Sequence, residues 1–140
     1  MTRAHTIHNH ATVMVFHSAQ VVRTVLREIL EREGYLVRAT GDLGNAVDMV
    51  RESPPDLLLI GVCTGQVNGH DAALYLRGKC PSMRVLMLAG LPTDERVEIW
   101  TRGEGFEVFP RPFAPADLLI AVAECLAGER PSQRTVTTTP

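Results

Sequence analysis

Short apolar runs alternate along this chain with segments whose apolar residues recur every three or four positions. The run "TVMVF" (Thr12 to Phe16) is uncharged and β-branched, which predicts a buried strand. Gln20 to Glu33 follows with Val22, Val25, Leu26, Ile29 and Leu30 on one stripe, which predicts a helix ended by Gly34 in the manner of a C-cap. "YLVRA" (Tyr35 to Ala39) reads as a second, less buried strand. Asp42 stands where it caps a helix carrying Leu43, Ala46, Val47 and Val50, and "SPP" closes that helix. "DLLLI" (Asp56 to Ile60) is the third strand, and it runs into Gly61 and a loop. His70 to Lys79 reads as a short helix, stopped by Pro81, and "RVLMLA" (Arg84 to Ala89) as the fourth strand. Thr93 caps a fourth helix, with Asp94 and Glu95 in its first turn and Val97 and Trp100 further on, ending near Gly103. "FEVF" (Phe106 to Phe109) is the fifth strand, and Pro115 starts a last helix that carries Leu118, Leu119, Val122 and Leu126 and ends at Gly128.

Strands and helices in this alternation predict an α/β domain, a parallel sheet with helices on both faces. The domain is expected over residues 12–128, between a flexible N-terminal arm (1–11) and a flexible polar tail (129–140). Such sheets bind ligands outside the carboxyl ends of their strands. The residues to inspect are therefore those after Phe16, Ala39, Ile60, Leu88 and Phe109.

Composition narrows the function. A chain of 140 residues suits one domain. The formal charge of −2, without a Lys/Arg run, gives no footprint for nucleic acid. No apolar run is long enough to span a membrane, and "MTRAHTIHNHA" lacks the apolar centre of a signal peptide. Cys63, Cys80 and Cys125 form no CxxC pair and read as reduced thiols, hence a cytoplasmic protein. His5, His8 and His10 form a weak metal pattern and are read as a solvated arm.

At its strand ends the sequence resembles the receiver domain of two-component response regulators. "PDLLLIGV…NG" resembles the family's Pro-Asp-apolar run with its acceptor Asp and later Gly. "REILEREGYLVRAT" resembles its first helix and second strand, "RVLMLAG" its fourth strand with the switch hydroxyl, and "FPRPF" its Lys-Pro-Phe motif. The resemblance covers about residues 12 to 128 and implies a flavodoxin-like (βα)5 three-layer sandwich with sheet order 2-1-3-4-5. It also implies phosphoryl transfer from a kinase phosphohistidine to an aspartate, around a Mg²⁺ held by that aspartate and two acids after the first strand.

The reactive positions depart from that pattern. The acidic pair falls on His17 and Ser18, the acceptor on Gly61, the switch hydroxyl on Ala89, the lysine on Arg111 and the aromatic switch on Val108. No acid occurs from Phe16 to Gln20 or from Ile60 to His70, so a one-residue shift does not restore the site. The family pattern carries about −2 there. With His17 neutral, His17, Ser18, Gly61 and Arg111 carry about +1. Mg²⁺ prefers carboxylate oxygens, so no cofactor and no Mg²⁺ binding are expected.

The expected function is a pseudo-receiver: a non-enzymatic signalling module that works through protein contacts without phosphorylation. The alternative is binding of a small anion or acidic ligand in the vestigial pocket by His17, Ser18 and Arg111. The expected partner is a signalling protein or a second copy of the chain, not nucleic acid or a membrane. Trp100 and Val108 mark the candidate partner face, although Trp100 reads equally as core. His17 is read as a locally hydrogen-bonded strand-end residue, with base, ligand or pH sensor as alternatives. Ser18 is read as the N-cap of the first helix. Gly61 is read as a close backbone approach, and Cys63 as a packed thiol. Arg111 either binds an anion or pairs with a surface acid. Only about a dozen polar residues follow Gly128, so the chain is expected to be a stand-alone module or a piece of a longer protein.

Overall fold

In a computed structural model the chain is described over residues 11–61, 63–64, 67–88, 107–109 and 114–128. In chain order these residues form β1 (Thr12–Phe16), α1 (Gln20–Arg32), β2 (Leu36–Thr40), α2 (Leu43–Glu52) and β3 (Leu57–Gly61). Then come β4 (Cys63–Thr64), β5 (Val67–Asn68), α3 (Gly69–Lys79), β6 (Arg84–Leu88), β7 (Glu107–Phe109) and α4 (Pro115–Leu126).

Five strands pair in parallel in the order β2-β1-β3-β6-β7. With the short hairpin set aside this is the flavodoxin-like order 2-1-3-4-5. Successive strand side chains point to opposite faces, and the two cores follow that period. Met14, Phe16, Leu58, Ile60, Val85 and Met87 face one side, against Ala46 and Val50 of α2 and Ala72, Ala73 and Leu76 of α3. Val13, Val15, Leu57, Leu59, Leu86 and Leu88 face the other, against Leu26 and Leu30 of α1 and Leu118, Ala121 and Val122 of α4. Burial on both faces explains why β1 and β3 are apolar at consecutive positions rather than alternating.

Local chemistry sets the ends of the helices. Asp42 Oδ2 accepts from Asn45 N at 2.9 Å and caps α2 as expected. Asn68 Oδ1 accepts from Asp71 N at 3.1 Å and caps α3, a role the sequence reading did not assign. Gly34 (φ +96°) and Gly128 (φ +87°) follow α1 and α4 in the left-handed region, where only glycine is unstrained. At the amino ends of the strands Asp56 joins three of them. Its Oδ2 accepts from Thr12 N at 2.8 Å, its N–H donates to Thr12 O, and its carbonyl accepts from Arg84 N.

Several expectations change. The second strand is Leu36–Thr40, one residue later than predicted, because Tyr35 N donates to Leu30 O in the turn after α1. Val25, placed on the apolar stripe of α1, is 46% exposed. Residues 63–64 and 67–68, predicted as loop, pair as a two-residue antiparallel hairpin. Ser18 does not cap α1: the N-cap is Ala19, with no side-chain cap hydrogen bond. The predicted helix from Thr93 to Gly103, residues 1–10 of the arm expected over 1–11, and the tail (129–140) lie outside the described residues, while Ala11 is described and its carbonyl accepts from Leu36 N.

Candidate functional site

The carboxyl ends of β1, β2 and β3 lie side by side, because β1 sits between the other two in the sheet. The chain leaves β1 at His17, whose N–H donates to Thr40 O at 3.1 Å and extends the β1–β2 ladder by one step. The direction of the His17 side chain then follows from two contacts. Its Nδ1 accepts from Ala19 N at 3.1 Å, which closes a tight turn into α1. An acceptor Nδ1 belongs to the neutral ring that carries its proton on Nε2. The ring lies over the last residue of β3: a Cβ placed on Gly61 would fall 2.8 Å from His17 Cδ2 and 3.2 Å from Nε2. Carbon atoms meet at about 3.5–4.0 Å, so any side chain at position 61 competes with the imidazole for the same space.

On the opposite side of β1 the arrangement repeats with different groups. Arg23, one turn into α1, donates from Nη1 to the carbonyls of His17 (2.7 Å) and Ser18 (3.1 Å). It reaches them across Gly41, where a Cβ would lie 2.5 Å from Nη1 and 2.9 Å from the His17 carbonyl oxygen. Thr40, the one buried polar residue among the described residues, accepts from Asp42 N at 3.1 Å through Oγ1 and turns the chain into α2. The strand ends are therefore joined by one imidazole, one guanidinium and two glycines that leave room for them. Asp42, the carboxylate that follows β2, has its Oδ2 on the Asn45 amide. Among the described residues no three His, Cys, Asp or Glu side chains are grouped to hold a metal ion.

The residues singled out in the sequence are distributed as follows. His17 and Gly61 meet. Ser18 is exposed beside His17, and its carbonyl receives Arg23. Val108 is in β7, paired with Met87 of β6. Ala89, Trp100 and Arg111 lie outside the described residues, and Cys63 is described only as a strand residue of the hairpin. The sequence reading missed Arg23 and Gly41. "TGD" after the second strand signals a turn, but nothing in the sequence links position 41 to a side chain eighteen residues earlier.

Comparison with known proteins agrees with this architecture. The family model of the response regulator receiver domain matches residues 13–123. The DNA-binding transcriptional regulator NtrC of Azospirillum brasilense is 30% identical over 122 residues, covering 86% of this chain and 25% of that protein. The response regulator MprA of Mycobacterium tuberculosis (strain H37Rv) is 29% identical over 120 residues, covering 85% of this chain and 52% of that protein. The chain thus spans a quarter to about half the length of these relatives. Among solved structures, a CheY-like response regulator receiver domain protein from Methanospirillum hungatei superposes with a TM-score of 0.78 at 19% identity. That match covers 85% of this chain and 95% of the other.

Proposed function

Because this chain belongs to the response regulator receiver family of two-component signalling, we propose that it is a receiver that signals by protein contacts, without accepting a phosphoryl group. The observation that carries this reading is the contact between His17 and Gly61. In the family resemblance, position 61 holds the acceptor carboxylate and position 17 one of the acids of the metal site. Here the first has no side chain, and the imidazole of the second fills the space above it. The donors at these two strand ends are an imidazole, the Ser18 hydroxyl and backbone carbonyls. That set does not fit Mg²⁺, which takes carboxylate oxygens in a strict octahedron. A phosphoryl group arriving there would find no carboxylate nucleophile at position 61 and no carboxylates to hold a Mg²⁺ beside it.

The described residues form a parallel sheet with helices on both faces, and the output is assigned to the outer surfaces of such a scaffold. The reading assigns no catalysis. A small anion held by His17, Ser18 and Arg111 is the weaker reading, because His17 already spends Nδ1 on Ala19 and covers Gly61.

The test is incubation with acetyl phosphate, or with beryllofluoride, in millimolar Mg²⁺, followed by intact mass and amide NMR spectra. The expected result is unchanged mass and unchanged shifts at His17, Thr40 and Gly61. Stoichiometric phosphorylation would overturn the proposal. A titration with inorganic phosphate, without Mg²⁺, separates the weaker reading: saturable shifts at His17 and Ser18 would support it.

A further inference from the structure

Helix α3 buries Ala72, Ala73 and Leu76, yet its outward face carries two large apolar residues as well. Leu74 is 37% and Tyr75 50% exposed. Apolar groups on both faces are not what a helix needs if it packs on one sheet only. Three further features of that outward face are specific. Asp71, 77% exposed, stands one turn before Tyr75, with Oδ1 3.7 Å from Nδ1 of the adjacent His70. Lys79 stands one turn after it, with Nζ 5.0 Å from the centre of the Tyr75 ring. Gly78 lies on the same face with nothing within 4 Å of where its Cβ would be. A glycine within a helix is unfavourable by about 1 kcal/mol relative to alanine, and no contact within the described chain explains this one. Val21 and Val25 of α1 are exposed too, but nothing around them specifies what covers them.

The order acid, apolar, small, base along one helix face is self-complementary when two such helices run antiparallel about a twofold axis. With the axis near Tyr75, Asp71 of each chain meets the partner's Lys79, because the two lie four residues either side of the centre. Tyr75 then packs on the partner's Tyr75, with Leu74 of each chain beside that pair. The empty space over Gly78 lets the two helices approach closely. A twofold interface must place the same patch on both subunits, and this patch satisfies that condition in charge as well as in polarity.

We propose that the outward face of α3 is the contact surface of a homodimer, with a second copy of this chain packed antiparallel on it through Asp71, Leu74, Tyr75, Gly78 and Lys79. The helix has 11 residues, a contact of about 16 Å in length. That is at the small end for a specific interface, so the dimer is weak, with a dissociation constant of about 10 µM to 1 mM. The inference does not depend on whether the domain accepts a phosphoryl group.

The test is sedimentation velocity of the full chain from about 10 µM to 1 mM, with amide NMR shifts followed over the same dilution. The expected result is reversible self-association, with the concentration-dependent shifts on α3. Asp71→Lys and Lys79→Asp each weaken association roughly tenfold, since each places two like-charge pairs across the axis. The combined Asp71→Lys/Lys79→Asp chain regains the affinity of the original, because every cross-axis pair is again opposite in sign. Circular dichroism melts of all three variants establish that they are folded. A chain that stays monomeric at 1 mM overturns the proposal, as do shifts confined to another face. A double variant no tighter than the singles also overturns it.

Discussion

Replacing Gly61 with alanine tests the central contact of the site, and the sign of its effect depends on His17. Gly61 does not have a positive φ, so its backbone accepts an L-residue. On that ground alone Gly61→Ala should stabilise the strand by about 0.5–1 kcal/mol. The new Cβ, however, would lie 2.8 Å from His17 Cδ2, closer than carbon atoms tolerate by about 0.7 Å or more. The ring must turn away and give up the bond from Ala19 N to Nδ1, which costs about 0.5–1.5 kcal/mol. An off-rotamer ring adds about 0.5–1.5 kcal/mol. The steric and hydrogen-bond costs exceed the backbone gain, so Gly61→Ala is expected to destabilise the protein by about 0.5–2 kcal/mol. In a His17→Ala background the overlap is gone, and Gly61→Ala should stabilise by about 0.5–1 kcal/mol. The coupling energy of the cycle is then about 1–3 kcal/mol. Urea unfolding of the four proteins, compared at constant m-value, measures it. Equal effects of Gly61→Ala with and without His17 would show that the imidazole does not occupy that space, and the argument built on it would fail.

Other outcomes follow from the same geometry. Gly41→Ala should destabilise by about 2–3 kcal/mol, because it displaces the Arg23 guanidinium from two carbonyls and crowds the His17 carbonyl. Much of that loss should vanish in Arg23→Ala, as read by thermal melts of the double variant. Gly61→Asp alone should leave the melting temperature insensitive to millimolar Mg²⁺. The triple change His17→Asp/Ser18→Asp/Gly61→Asp should make it rise with Mg²⁺, since only the triple variant supplies the carboxylates. Burial, aided by the Glu33 carboxylate, raises the Tyr35 phenol above its usual value of 10.0. The folded state therefore holds that proton more tightly than the unfolded state. Its contribution is fully present below pH 10 and is lost as pH rises through the higher folded-state value. Chemical denaturation of Tyr35→Phe across this range should show a shallower alkaline decline than the wild type, and an identical decline would argue against the assignment.

The apolar pattern was informative about the elements because burial in a parallel sheet leaves a mark at every position. Leu57 to Ile60 are all fully buried, as an unbroken apolar run on a central strand requires. Asp42, Gly34 and Gly128 lie where capping chemistry places them, since a cap depends on a few neighbouring residues only. Ser18 was misread for a related reason: it has the chemistry of a cap, but the turn is closed by the His17 ring one residue earlier. The hairpin of Cys63–Thr64 with Val67–Asn68 escaped notice because two-residue strands are too short to carry a period.

From the sequence alone came the strand ends, and through the resemblance the expectation that Gly61 stands at the position of a carboxylate, with no acid from Phe16 to Gln20 or from Ile60 to His70. The sequence did not tell what replaced it. His17 and Gly61 are 44 residues apart, and Arg23 and Gly41 are 18 apart. Each pair meets only because the sheet sets β1 between β2 and β3. Periodicity reports which way a residue faces relative to its own element. The close approach of a ring or a guanidinium to a glycine depends on which elements become neighbours, and that is decided by packing the two cores on the faces of the sheet.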